Sequence, residues 1–170
     1  MKKNLMIIIL GVLIVSSCHH NTSDSVVNIT VDYTKTIEQS IAEGNYCDVN
    51  DRITDKNFPI YPEMIGKKVE ISVKLFHFNH NMRDDSATYE INKAGYRPAT
   101  LMELLAFCSH SDLRKNYNIV ALGSVYRDTI NGVNWKLYTS DYNTNHQRAL
   151  GACGDSDWWC SKWYFLAVHK

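Results

Sequence analysis

The sequence predicts a single α+β domain in which a small antiparallel sheet carries two or three short helices, and three stretches carry that reading. VEISVKLFHF, residues 69 to 78, alternates Val69, Ile71, Val73 and Leu75 with Glu70, Ser72 and Lys74, the period of two of a half-buried strand. In PATLMELLAF, Pro98 forbids helix before it, and Thr100 followed three residues later by Glu103 makes a capping box that opens a helix from Leu101 to about Ser109. Asn131-Gly132, set between TI and VNWKLYT, signals a hairpin joining strands at about 119 to 129 and 133 to 139.

The chain opens with Met1-Lys2-Lys3, a short positive segment, followed by eleven uncharged residues from Leu5 to Val15. That is the layout of a signal peptide, and the apolar run is well short of the roughly 20 residues that a membrane-spanning helix needs. Val15-Ser16-Ser17-Cys18 resembles the lipobox of bacterial lipoproteins, in which a peptidase cuts before an acylated cysteine. By that resemblance residues 1 to 17 are removed and Cys18 carries the lipid. At about 0.8 kcal/mol per buried methylene, two or three acyl chains hold a protein on a bilayer stably. The implied address is the bacterial cell envelope, with the membrane as a partner through the lipid on Cys18. His19 after the cysteine resembles lipoproteins sent on to the outer membrane.

Removing seventeen of 170 residues leaves 153, and the loss of Lys2 and Lys3 leaves 16 basic residues against 18 acidic. A near-neutral chain of that length fits one domain, 32 to 170, behind a tether at 18 to 31 that admits an entering strand at 26 to 31. Nothing is strongly basic or grouped into a charged stripe, so nucleic acid is excluded as a partner. Beyond Cys18 there are four cysteines, an even number suited to an oxidising compartment. Cys153 and Cys160 bracket the short CGDSDWWC and are the favoured bridge, with Cys47–Cys108 second. Cys108 also shares a helical face with Leu101, Leu104 and Leu105, where it serves equally well as a small buried apolar residue.

Along the rest of the chain, Ile37 and Ile41 four apart, a cap at Thr34 and a stop at Gly44 predict a helix over 35 to 43. The next twenty residues, 45 to 64, read as loop. Its Asp48, Asn50, Asp51 and Asp55 do not make a calcium loop, because Arg52 and Ile53 occupy the fifth and sixth positions. His77 and His80, three apart on an extended chain, face opposite ways and are poorly placed to share a metal. A second helix at about 86 to 94 starts from Asp85 or Ser86, keeps Ala87, Ile91 and Ala94 on one side, and ends at Gly95. IVALGSV at 119 to 125 has strand length, and WYFLAV at 163 to 168 is apolar enough throughout to be a central strand buried on both faces.

The order Gly-Tyr-Arg-Pro-Ala-Thr with Glu-Leu in the helix, then strand, hairpin, long loop and a closing FLAV strand resembles bacterial surface domains of C-type-lectin-like fold. The likeness covers Gly95 to Lys170. It departs from the pattern at Ala99, at ALGSV where an aromatic-Ser-Ser strand is usual, and at His169 where arginine is common. It implies binding of a glycan or an envelope protein through the loop at 140 to 162. That loop holds Asp141, Tyr142, Asn143, Asn145, His146, Gln147, Asp155, Asp157, Trp158 and Trp159, and aromatic faces beside amides and carboxylates suit sugar or peptide recognition. Trp158 and Trp159 are the expected anchors, with Tyr142, Asn143, Asn145 and Asp157 as further ligand contacts. The competing use of these tryptophans is to pack the loop on the core. The Pro-containing triplet of calcium-dependent lectins is missing, since Pro59, Pro62 and Pro98 all lie upstream, so neither metal nor cofactor is expected.

Nucleophile elbows, zinc signatures and phosphate-binding glycine loops are absent from the sequence. Carboxylate pairs such as Asp84-Asp85 are common in helix caps, and cysteine catalysis would need a free thiol of lowered pKa. The expected class is therefore a non-enzymatic binding domain. An inhibitor or immunity factor acting on an envelope toxin or hydrolase suits the size and tether equally well.

Overall fold

WYFLAV is apolar without alternation, which demands cover on both faces of whatever sheet contains it. The computed structural model describes residues 25–110, 117–141, 147–154 and 158–170. In chain order these form β1 (Val27–Asp32), α1 (Ile37–Glu43), β2 (Tyr46–Val49), β3 (Lys68–His77), β4 (Met82–Arg83), α2 (Asp84–Lys93), β5 (Tyr96–Pro98), α3 (Leu101–Ser109), β6 (Asn118–Arg127), β7 (Asn134–Asp141), β8 (Arg148–Cys153), β9 (Trp158–Trp159) and β10 (Trp163–His169). Eight strands make one open sheet in the order β1-β3-β10-β6-β7-β8-β2, with β5 also on β10, and β4 pairs β9 in a separate ribbon. The sheet is mostly antiparallel, with parallel pairs at β10–β6 and β2–β8. The α+β class stands, but the sheet is large where a small one was expected.

The extra strands come from stretches read as loop. RALGAC has almost no β-branched residues, yet it forms β8 because small residues fit beneath its neighbours. Gly151 pairs with Tyr138, and a Cβ there would run into the tyrosine ring. Arg148 enters the core with its guanidinium 2.6 Å from the Tyr117 carbonyl oxygen and 2.8 Å from Thr139 Oγ1. β2 then pairs with β8, so neither 45 to 64 nor 140 to 162 is irregular throughout. β1 joins the sheet beside β3 with Ile29 and Val31 buried, so the entering strand expected at 26 to 31 is part of the fold.

Two elements differ in their ends. α1 is capped by Thr36, with Gln39 completing a capping box, and Gly44 is right-handed, the left-handed φ of 48° falling on Asn45. Gly44 is small because the Tyr46 ring lies against it. The Asn131-Gly132 hairpin forms with a longer turn than two residues, closed by Asp128 N–H donating to the Val133 carbonyl at 2.8 Å.

GYRPAT folds as its pattern predicts and for a reason the pattern did not show. Glu103, 1% exposed, accepts two hydrogen bonds from Arg97, at 2.6 and 2.9 Å, and a third from the Thr100 N–H at 2.7 Å. The ALGSV stretch supports this turn. Gly123 N–H donates to the Ala99 carbonyl at 2.8 Å, a Cβ at Gly123 would come 2.5 Å from the Pro98 oxygen, and Ser124 Oγ accepts from Leu101 N–H at 3.0 Å. Tyr33 packs beside this pair, and burial first, then the Glu103 charge, pushes its hydroxyl up to about 12.

β10 is central and covered on both sides as expected. Leu166 and Val168 face an aliphatic core under α1 and α3, whereas Phe165 and Ala167 face a smaller aromatic core under α2 and the β4–β9 ribbon. No disulfide joins the described cysteines, which are all thiols. Cys108 is buried against Thr139 of β7 while Cys47 lies exposed on β2, two strands or about 10 Å away, so that pair is not placed to bridge. Cys153 is half-buried at the end of β8 and Cys160 exposed after β9.

Candidate functional site

Met82–Arg83 and Trp158–Trp159 are two-residue strands paired antiparallel, Met82 with Trp159 and Arg83 with Trp158. Successive side chains on a strand point to opposite faces, so the two adjacent tryptophans have opposite fates. Trp159 is 4% exposed and Trp158 is 58% exposed. Trp159 packs edge-on against Trp163 at 5.0 Å between centroids, beside Phe165 and Ala167 of β10. Its Nε1–H donates to Asp84 Oδ1 at 2.5 Å. The other oxygen of Asp84 stands 3.0 Å from Nζ of Lys136, a lysine of β7 whose side chain is 8% exposed. One carboxylate at the first position of α2 thus ties the helix, the ribbon and the main sheet together. Two charges so far from water need each other, since a buried ion without its partner is costly.

Above this anchor is an open surface. Arg83, which precedes α2, holds its guanidinium 5.8 Å over the Trp158 ring and its Nε 3.4 Å from Asp85. Tyr89 follows Asp85 by one helical turn and is 64% exposed. Lys93 Nζ lies 5.9 Å over its ring and 3.9 Å from Glu90. The ridge of Arg83, Asp85 and Tyr89 separates two grooves. The first, of about 750 Å³, runs between α2 and the ribbon and is lined by Phe78, His80, Asn81, Met82, Ser86, Glu90 and Trp158 beside the ridge. The second, of about 630 Å³, lies between α2 and the sheet, over Leu122, Val125, Thr88, Asn92, Asn134 and Lys136. Both volumes fall in the range of about 300–1,000 Å³ common for small-molecule sites.

Of the expected ligand contacts that fall among the described residues, Trp158 is on this surface and Trp159 is not. Trp159 is a core residue, which corrects its assignment as an anchor: alternation on β9 cannot turn both rings outward. Tyr142, Asn143, Asn145 and Asp157, like Cys18, lie outside the described residues. The grooves also bring in α2, a helix expected from the spacing of Ala87, Ile91 and Ala94 on one side. Ala87 and Ile91 do face the core, but Asp85, Tyr89 and Glu90 are on the opposite side. An exposed tyrosine one turn after an acidic pair was the available signal.

His77 and His80 are apart, as their spacing implied. His77 Nε2 is 2.7 Å from the Ser161 carbonyl oxygen and its ring stacks on Tyr164, while His80 Nδ1 is 2.9 Å from the Asn81 carbonyl oxygen. Among the described residues no group of three or more His, Cys, Asp or Glu side chains is placed to hold a metal ion. Comparison with protein-family models, with curated proteins and with solved structures finds no match to the chain.

Proposed function

We propose that the protein is a lipid-anchored protein of the bacterial envelope whose domain binds a glycan or protein ligand at the grooves beside Trp158 and performs no catalysis. The observation that carries this reading is the split pair. Trp159 is locked beneath by Asp84 and Lys136, and it holds Trp158 out at the mouth of a groove with more than half of its surface in water. A rigid aromatic supplies contact area at low entropy cost, which is what a recognition anchor needs. The charged side chains along the grooves pair with one another, an arrangement suited to holding a surface in place.

Acylation of Cys18 gives the address, and eight residues separate it from Val27, so the fold stands within about 30 Å of the lipid. The likeness of residues 95 to 170 to C-type-lectin-like domains belongs to the same reading. It is supported by the order helix, strand, hairpin and closing strand, and weakened by β8 and β9 standing where a long loop was expected. In an oxidising envelope Cys153 and Cys160, free thiols in this structure, would form the local bridge and tie β8 to β9; peptide mapping of the exported protein without reduction reads it directly.

The test has two parts. Cys18→Ser should leave unprocessed precursor or release the protein from membranes, and retention after normal processing ends the anchor. A glycan array and an envelope pull-down, each run with the native chain and with Trp158→Ala, should show a ligand lost in the variant. A ligand indifferent to that substitution moves the site elsewhere. A toxin or hydrolase as the Trp158-dependent partner would make the protein an inhibitor.

A further inference from the structure

Resting on that site, we propose that its ligand is a neutral, linear carbohydrate chain lying across both grooves, over the ridge of Arg83, Asp85 and Tyr89. Three observations lead there. The first is charge: among the described residues each cation of this face stands within ion-pair distance of an acid, Arg83 with Asp85 at 3.4 Å, Lys93 with Glu90 at 3.9 Å and Lys136 with Asp84 at 3.0 Å. A ligand carrying net charge of either sign would have to compete with these internal partners, whereas a neutral ligand leaves them intact.

The second observation is the chemistry of the walls. Trp158 and Tyr89 expose ring area, and around them stand two carboxylates, an amide and a hydroxyl: Asp85, Glu90, Asn81 and Ser86. A sugar ring presents an apolar face of C–H groups and a rim of hydroxyls that both donate and accept. It matches aromatic faces bordered by planar acceptors and amides.

The third is shape. The two grooves share Arg83, Asp85 and Tyr89, so a chain longer than one groove continues into the next over the same residues. The second groove adds Val125, 49% exposed, and Asn92 at its far side. A repeating ligand gains contacts with each unit until both grooves are filled, and then gains no more.

The experiment titrates the full chain in detergent with cello-, manno- and N-acetylated chito-oligosaccharides, disaccharide to hexasaccharide, by calorimetry, beside a tetralysine peptide. The peptide is included because Asp155 and Asp157 precede Trp158 in the sequence. One series should bind with affinity that rises with chain length and then levels. Trp158→Ala should weaken its hexasaccharide about tenfold or more. Val125→Asp, at the far groove, should weaken the hexasaccharide and leave the disaccharide unchanged. Circular dichroism checks that both variants are folded. Trp158-dependent binding of the peptide with none of any oligosaccharide overturns the ligand class and keeps the site. Length-independent affinity, or a hexasaccharide indifferent to Val125→Asp, overturns the two-groove chain. Binding of nothing in a Trp158-dependent manner removes the carbohydrate proposal and turns the search for a ligand to the envelope pull-down, which alone decides the site.

Discussion

The two faces of the central sheet are built to different standards. Under α1 and α3 lies a core of twenty-two described buried residues, three of them aromatic and most of the rest aliphatic, with Leu104, Leu105, Leu137, Leu150 and Leu166 at its centre. Under α2 and the β4–β9 ribbon lie seven, two of them aromatic and two alanine, held in place by a carboxylate shared between Lys136 and Trp159. A thick apolar layer stabilises a fold in proportion to the area it removes from water and leaves little surface to spare. A thin one needs polar pins and leaves grooves at its margins, and it is beside the thin layer that Trp158 and Tyr89 stand exposed. The lesson is that open grooves and exposed rings gather where packing is least complete.

The strongest challenge to that contrast is a pair of truncations. Leu104→Ala in α3 and Ile91→Ala in α2 both remove a side chain that has no exposed surface. In the thick core the cavity cannot collapse, and a loss of about 4 kcal/mol is expected; over the thin layer α2 can settle, and about 2 kcal/mol is expected. Urea denaturation of both variants measures the difference, and equal or reversed losses would show that the two faces are mechanically alike.

Asp84→Ala comes next. It removes the carboxylate that pairs with the buried Lys136 ammonium and accepts from the Trp159 N–H, and a loss of about 3 kcal/mol is expected by comparison with other broken buried pairs. Asp84→Asn keeps an acceptor for Trp159 and loses only the charge, so it should fall between native and alanine. A lysine pKa measured unchanged in both variants, with stability intact, would mean that the pin does not hold the ribbon.

How much of this was readable in advance follows the same division. The thick face declared itself through period: the alternation of residues 69 to 78, the capping box at Thr100 and Glu103, and the unbroken apolar run of β10 each specify one local structure, and each formed. On the thin face the helical spacing of Ala87 and Ile91 in α2 was legible, but the ribbon has no period. Met82–Arg83 and Trp158–Trp159 are strands of two residues, too short for any pattern, and they exist only because they pair with one another seventy-six residues apart. β8 was missed because alanine and glycine report a neighbour's bulk, here Tyr138, and not their own preference. Trp158 was found from its type alone, whereas its contrast with Trp159 required the strand that alternates them.

Trp158→Ala sharpens the comparison from the other side. A ring that is more than half exposed, with the Arg83 guanidinium 5.8 Å over it, contributes little to folding, and stability should change by less than about 0.5 kcal/mol. Trp159→Ala, one residue along, should cost about 3 kcal/mol or more. Thermal melts of the two variants, side by side with ligand titration, should therefore separate stability from recognition across a single peptide bond. Similar melting temperatures would erase the distinction between floor and mouth of the groove.

The smallest expected effect lies at the edge of the thick face, where Asp32 ends β1. Thr34 donates to its carboxylate from both Oγ1, at 2.5 Å, and its backbone N–H, at 3.1 Å, and Lys68 Nζ stands 2.9 Å from the other oxygen. The Thr34 hydroxyl first, then Lys68, pull the carboxyl down from 3.8 to about 2. A depressed carboxyl binds its proton more readily in the unfolded chain, so whatever stability it contributes is complete above pH 3.8 and is lost as the pH falls toward 2. The site is at the surface, so the contribution is slight and salt-sensitive. Denaturation midpoints measured through that window should fall less steeply in Asp32→Asn than in the native chain, with the two curves parallel above it. If the slopes coincide in the window as well, the acid response of the thick face comes from other carboxylates.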